Sequence, residues 1–472
     1  MKMSVKNQSI AIVGAGLVGS LLTIYLAKRG YKISVFERRA DMRKQAMDGG
    51  RSINLALSNR GIRALDEIGL ANVIKQTAVP MHGRMMHDLQ GKLTFQPYGK
   101  QGQFINSVSR GDLNKALMTE AEKLGVEFHF EQRITSVDIE MTQLEVQGSR
   151  FKIQNSSPKS SIPACPAGRQ YPTSNIQHLP FDLIIGSDGA FSAVRAALQF
   201  TDRFDYSQDY IDHGYKELHI PAGAEGSFQL EKNALHIWPR ESFMMIALPN
   251  QDGSFTCTLF FPFEGAPSFS KLKTDRDVVE FLKTTFPDAC KLMPDALKDF
   301  KTNPTSSLVT VKCFPWVRNK TLLIGDAAHA IVPFFGQGMN AGFEDCRILN
   351  QLLDQHQDNW NNVLPEFQQL RKPDADAIAK LALDNFIEMR DLVADANFLL
   401  RKKIEAKLHE LFPDTWVPLY SMVTFQDHIR YSDAYATGQK QRKIMDEVMK
   451  IPDVEREWSS LDFEEIVNKL LV

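Results

Sequence analysis

The 472-residue chain is 43% hydrophobic and 24% charged with a net charge of −2, which offers no basic stripe for nucleic acid and no pull towards an anionic membrane. Its five cysteines (Cys165, Cys257, Cys290, Cys313 and Cys346) are widely spaced with no CxxC pair, which argues against a metal site or a redox dithiol. A chain of this length buries a core without disulfides, so the thiols are read as reduced and the protein as cytoplasmic.

Met1 to Ser9 are polar, which predicts no signal peptide. Ile10 to Val13 form a continuous apolar run, and a buried strand is expected over Ser9 to Gly14. A helix from about Leu17 to Arg29, stopped by Gly30, and a second strand from Lys32 to Glu37 complete a βαβ opening, which predicts a parallel sheet. The turn between the first strand and the helix reads Gly14-Ala15-Gly16-Leu17-Val18-Gly19. Gly14 permits the tight turn, Gly16 lets a pyrophosphate approach the backbone, and Gly19 lets the helix sit close to the strand. The anion would rest on the helix N-terminus. Glu37 ends the second strand at the spacing expected of a carboxylate that holds a ribose hydroxyl. Strand, helix and acid together read as a dinucleotide site, with Arg38 and Arg39 as a solvated pair.

Ser109 to Leu124 reads as a helix with a capped start at Ser109 and Asp112, and Val126 to Phe130 as a strand. Gly148 to Leu179 gathers Asn, Ser and Pro and reads as a surface loop insertion without a need for order. Phe181 to Gly186 is a further buried strand. The Asp188-Gly189 that follows it, running on through Ser192 to Arg195, reads by itself as a turn. From Tyr206 to Phe263 the pattern alternates and is rich in aromatics. Strands beginning at Leu235, Phe243 and Phe255 predict an antiparallel sheet. Leu322 to Ile324 returns to a buried strand and delivers Asp326 to a loop rich in Gly and Pro, after which a helix begins near Met339. His329, with no carboxylate partner placed by the sequence, reads as structural. Beyond Gln337 the chain is expected to be mostly helical, closing on a short amphipathic helix from Leu461 to Val472. No apolar run reaches the roughly 18 residues of a spanning helix, so no transmembrane anchor is expected.

Three motifs in this order, Gly14 to Gly19, Asp188 to Arg195, and Gly325 to Asp345, resemble the class A flavoprotein monooxygenases, the aromatic hydroxylase family, over roughly residues 8 to 350. The resemblance implies an α/β fold: a Rossmann-like FAD-binding parallel sheet, an antiparallel-sheet substrate domain and a C-terminal helical region. The divisions it suggests are 1–200 for FAD binding, 201–310 for substrate, 311–370 for a return to the FAD domain and 371–472 for the helices. It also implies FAD as cofactor, NADPH and O2 as co-substrates, and no separate domain for NADPH. FAD contacts would come from Gly14, Gly16, Val18, Gly19, Glu37, Arg38, Ala56, Arg110, Asp188, Asp326, Gly338, Met339 and Asn340. The helix start near Met339 would stabilise negative charge on a reduced ring.

Further stretches, among them Arg51 to Ser58, Met85 to Lys92, Phe95 to Gly99, Ser107 to Asn114 and Pro418 to Phe425, resemble the branch of the family that hydroxylates L-kynurenine at its 3-position. On that resemblance Arg84 and Tyr98 would hold the substrate carboxylate, Asn385 and Tyr420 would complete recognition of the amino-acid end, and Phe334 and Phe335 would lie between flavin and substrate ring. Another aromatic acid is the alternative substrate, and a flavoprotein module without enzymatic activity is the further alternative.

Overall fold

The structure is a computed structural model that describes residues 6–44, 54–100, 102–148, 176–389 and 395–471. Its first layer is a six-stranded sheet in the order Val317–Arg318, Thr321–Leu323, Leu183–Gly186, Ser9–Val13, Lys32–Phe36, Glu127–His129. All neighbours pair in parallel except the outermost, Val317–Arg318 on Thr321–Leu323. Ile10, Ala11 and Ile12 are fully buried in succession because a parallel strand is covered on both faces, which is why the sequence reads as an apolar run without alternation.

The second layer is a seven-stranded sheet in the order Ser306–Phe314, Asp205–Ile220, Phe255–Pro262, Phe243–Pro249, Ala234–Arg240, Gly83–His87, Leu93–Pro97. It corrects the expected composition of this sheet. Its last two strands come from the first hundred residues rather than from 201–310, and Ser306–Phe314 runs past residue 310. Gly83–His87 also joins in parallel, Ala234 opposite Gly83 and Ile237 opposite Met86, while the other pairings are antiparallel. Gly83 is fixed by its surroundings: a Cβ there would lie 2.4 Å from the carbonyl oxygen of Gln96.

One face of this sheet is covered by three short helices, Asp275–Thr285, Pro287–Leu292 and Ala296–Thr302, over a core that includes Trp238, Phe243, Phe261, Phe281 and Phe286. The other face carries Met86, Ile237, Met244 and Phe260 towards Phe334, Phe335, Phe386 and Met422. That second core is where the C-terminal helices Trp360–Ile387, Leu419–Thr424 and Tyr431–Val448 close on the sheet.

The expected loop insertion at 148–179 falls mostly outside the described residues. Its end is corrected: Ile176–Pro180 is a strand on Gln143–Gln147, with Leu144 opposite Leu179. Leu144 and Val146 point into the core, which fixes the register of that ladder. The closing helix is Phe463–Leu471, within the expected 461–472. No helix among the described residues is long and apolar enough to cross a membrane.

Candidate active site

The first glycine turn behaves as its spacing demands. Gly14 has φ +100°, and a Cβ on it would stand 2.7 Å from the Ser187 carbonyl oxygen. A Cβ on Gly19 would stand 2.1 Å from the Gly14 carbonyl oxygen, so helix Leu17–Lys28 rests directly on the turn. At Gly16 a Cβ would meet nothing within 4 Å: the backbone there borders open space. Val18 faces the opposite way, into the third motif. Its side chain is 3.0 Å from where a Cβ on Gly325 would be and 2.5 Å from where one on Gly342 would be. Two segments far apart in sequence are thereby locked together at one helix end.

Glu37 is buried at the end of its strand. It accepts hydrogen bonds from the Ala15 N–H (3.0 Å) and from the N–H and Nε of Arg39 (3.0 and 2.9 Å). Burial raises its pKa, but Arg39 and the Ala15 N–H outweigh burial, and the net shift is downward. The carboxylate therefore lies beside the open backbone of Gly16 in its charged, hydrogen-bond-accepting form. Arg38 and Arg110 are both exposed, and Arg110 opens helix Arg110–Lys123.

The third motif forms the other wall. Gly325 (φ +59°) turns the chain after strand Thr321–Leu323. Asp326 is exposed while Ala327, Ala328 and His329 behind it are buried, so its carboxylate is presented outward from a closed backbone. Gly336 (φ +67°) turns into helix Gly338–Gln355, whose first turn carries Gly338 and the half-buried Met339. Asn340 shapes the loop before that helix: its amide nitrogen donates to the carbonyls of Ala56 and Gly336 (both 2.8 Å), and its oxygen accepts from the Ser58 N–H (3.0 Å). Neither this helix nor Leu17–Lys28 has its first N–H groups capped by a side chain, which leaves both ends open to an anionic group. Asp188 is engaged within its own motif. Its carboxylate accepts from Ser192 Oγ (2.6 Å) and from the Ala193 N–H (2.6 Å) at the start of helix Ala193–Leu198, and burial raises its pKa against those bonds. Arg195 then donates to the Ala327 carbonyl (2.8 Å), tying the second motif to the third.

Beside this cradle lies an aromatic cluster around the Arg84 guanidinium. The Arg84 guanidinium is 5.1 Å from the centre of the Tyr420 ring and 5.7 Å from that of Tyr98. The two tyrosine rings stack at 5.3 Å, and Phe335 stacks on Tyr420 at 5.4 Å. Phe334 packs on Phe386 (4.2 Å) and Phe260 (4.8 Å), and its carbonyl accepts from Asn385 Nδ2 (2.6 Å). Burial raises the pKa of both Tyr98 and Tyr420, so each keeps its proton and can donate it to a hydrogen bond. Arg84 Nε and the Tyr98 hydroxyl are buried and make no hydrogen bond of good geometry among the described residues, although Arg84, Tyr98 and Tyr420 face one another at longer range. Buried donors left open in this way are uncommon and costly, and here one is on a cation and the other on a ring beside it.

A family model described as FAD binding domain matches residues 7–380. The kynurenine 3-monooxygenase of Christiangramia forsetii is 49% identical, over 99% of each chain. That of Sus scrofa is 46% identical, over 93% of this chain and 88% of the relative. This chain belongs to the kynurenine 3-monooxygenase family. Among solved structures, 2-methyl-3-hydroxypyridine-5-carboxylic acid oxygenase superposes with a TM-score of 0.64 at 20% identity, over 84% of this chain and 96% of that one, which bears on the fold.

For a kynurenine 3-monooxygenase the cradle has to take FAD, and the residues present fit one. The backbone is open at Gly16, two helix ends are uncapped, and Asp326 and Glu37 supply acceptors for hydroxyl groups. The resemblance placed Arg84, Tyr98, Tyr420, Phe334, Phe335 and Asn385 around one substrate; the structure joins Arg84, Tyr98, Tyr420 and Phe335 in one run of ring and cation contacts, with Phe334 next to Phe335 in the chain and Asn385 bonded to its carbonyl. Asp345 is a residue that the sequence did not single out. It is the partner of His329, at 2.6 Å, and its other oxygen accepts from Arg371 Nε (2.7 Å). It lies 16 residues beyond His329, across a loop whose path no periodicity reveals. The structural reading of His329 agrees with that buried pair.

Proposed function

We propose that this protein hydroxylates L-kynurenine to 3-hydroxykynurenine, consuming NADPH, a proton and O2 and releasing NADP+ and water. FAD, when bound, would supply the redox chemistry, namely hydride acceptance from NADPH and activation of O2 for transfer to the ring. The chain's own residues bind, orient and keep the site dry.

The observation that carries the reading is the pair of buried donors without a close partner on Arg84 and Tyr98, at the stacked Tyr98 and Tyr420 rings. A substrate carboxylate would accept from both, and an arginine fixes its direction as well as its position. Asn385, already anchored to the Phe334 carbonyl, and Tyr420 complete the grip on the amino-acid end. With that end held, the carbon ortho to the aniline nitrogen is carried to the flavin side, where Phe334 and Phe335 exclude water. On the cofactor side, Gly14, Gly16, Gly19 and Glu37 would hold the ADP half. Asp326, Gly338 and Met339 would hold the ribityl and ring half, with Ala56, Asn340 and Val18 setting the shape of the cradle and Asp188 that of the neighbouring turn. Arg38 and Arg110, both exposed, would lie on its rim. We place the protein in the cytoplasm, where buried free thiols such as Cys257, Cys313 and Cys346 stay reduced.

The test is anaerobic mixing of the yellow holoprotein with NADPH, with and without L-kynurenine, followed by admission of air and analysis of products. Kynurenine should speed the bleaching of the flavin, and 3-hydroxykynurenine should form in air. Arg84→Ala should keep its FAD and need on the order of 100-fold more kynurenine, the scale set by removing one partner of a buried charge pair. A folded protein that takes up no FAD, or an Arg84→Ala variant with unchanged affinity, refutes the assignment.

A further inference from the structure

Helix Asn59–Glu67 lies between the flavin loop and the segment that carries Tyr420. On one side it is held hard against the loop. The N–H of Ser58, just before it, donates to Asn340 Oδ1, and a Cβ on Gly61 would stand 2.5 Å from that same oxygen. On the other side three of its residues reach residues 422–429. Asn59 donates to the Phe425 carbonyl (2.8 Å), and Arg63 pairs with Asp427 (2.9 Å). Arg60, between them, is 1% exposed. Its Nε donates to the Val423 carbonyl (2.9 Å), and its Nη2 reaches the carbonyls of Met422 and Gln426 (both 3.4 Å) and of Ile429. Its Nη1 pairs with Glu344 (2.7 Å), on the helix whose first turn borders the flavin. The guanidinium also lies 4.0 Å from the centre of the Tyr431 ring, and the Tyr431 hydroxyl donates to Gln337 Oε1 (2.9 Å), at the N-cap of that same helix.

We propose that Arg60 is a positioning residue for the hydroxylation: it sets the height of the Tyr420 segment over the flavin-bordering helix, and so the distance between the substrate ring and the reacting oxygen. The inference rests on the functional reading above. Only arginine offers a planar fork that can serve several carbonyls and a carboxylate at once. Lysine keeps the charge for Glu344 but brings a single nitrogen, so it should hold the fold while loosening the segment.

Arg60→Lys is therefore measured for FAD content, for melting temperature, for KM and kcat with kynurenine, and for coupling. Coupling is the fraction of oxidised NADPH that appears as 3-hydroxykynurenine rather than as H2O2, formed when NADPH, a proton and O2 give NADP+ and peroxide. It does not depend on how much enzyme is folded, so a merely structural role would leave it unchanged. The expected result is retained FAD, a KM raised about tenfold and coupling reduced at least twofold. If Arg60→Lys fails to fold, Tyr431→Phe takes its place. It removes one hydroxyl and cuts the Arg60 stack from Gln337, and the same loss of coupling is expected. Wild-type KM and coupling in the folded variant overturn the inference alone. A wild-type enzyme that oxidises NADPH and never hydroxylates kynurenine overturns the functional reading and this inference with it.

Discussion

Gly16 and Gly19 stand three residues apart on one turn and face different neighbours. A methyl group on Gly19 has nowhere to go, because the Gly14 carbonyl oxygen and Ser187 Oγ lie 2.1 and 2.5 Å from it. Gly19→Ala should therefore push helix Leu17–Lys28 off its strand and destabilise the apoprotein by about 1–3 kcal/mol, the usual scale of overpacking. A methyl group on Gly16 meets no protein atom. Gly16→Ala should leave the apoprotein's melting temperature unchanged and weaken FAD binding. Melting curves of both apoproteins beside FAD titrations check the contrast, and equal effects of the two substitutions on both quantities would contradict it. These glycines and Glu37 were legible because their meaning is local: a turn, a helix end and the next strand fall within 30 residues. Arg84, Tyr98 and Tyr420 were not legible in that way. Taken singly they read as a surface charge and two core tyrosines, and only family resemblance joined them.

At the level of elements, short helix Pro287–Leu292 is fastened to the seven-stranded sheet by a chain of rings. Asp288 accepts from Trp238 Nε1 (2.9 Å) and pairs with His87 Nδ1 (2.6 Å), and His87 Nε2 meets His236 Nδ1 (2.8 Å). Burial, the leading cause, takes the His236 pKa from the usual 6.5 down to about 4. At Asp288 burial raises the pKa, but the bonds from His87 and Trp238 outweigh it and bring the value from 3.8 to about 2. Both groups therefore bind protons less readily folded than unfolded. The stability they contribute is complete above about pH 6.5. It falls first as pH drops from 6.5 towards 4, through His236, and then from about 3.8 towards 2, through Asp288. Melting temperature should fall across the upper window in the wild type, and His236→Gln should flatten that window; an unchanged slope in the variant would exclude His236 as its source. The helices on this face leave little trace in the sequence. They are 11, 6 and 7 residues long, too short for a helical period to stand out. Their local signals are the capping box of Thr274 and Asp277 and the Pro287 that opens the second helix. The parallel pairing of Gly83–His87 with Ala234–Arg240 had no local signal, since register between strands so far apart is a property of the folded chain.

Across the whole molecule, one buried ionic cluster joins helix Gly338–Gln355 to the C-terminal helices. Arg371 pairs with Glu344 (2.7 Å), Asp345 (2.7 Å) and Asp374 (3.0 Å), and Asp374 in turn accepts from Arg430 (3.2 Å) and Ser432 Oγ (2.7 Å). The neighbouring carboxylates raise the Arg371 pKa against its burial, and His329 and Arg371 hold Asp345 low against its own. Arg371→Met would leave three buried carboxylates short of their shared cation. Loss of one partner from such a cluster costs about 3–5 kcal/mol, so the variant should melt well below the wild type. An unchanged melting temperature would show that the cluster is dispensable to the fold. The general architecture was legible from sequence because alternating and continuous apolar runs separate the two kinds of sheet. The cluster was not, because its members come from two separate helices and the start of a third.

The strand bearing Arg84 belongs by sequence to the first hundred residues and by hydrogen bonding to the middle of the chain. No single crossover point therefore divides the gene into a cofactor portion and a substrate portion. A chimera with a homologue joined near residue 200 would take Arg84, the proposed carboxylate grip, from one parent and most of the surrounding sheet from the other. Exchange of substrate preference between relatives has to move residues 83–97 together with residues 205–314 as one cassette.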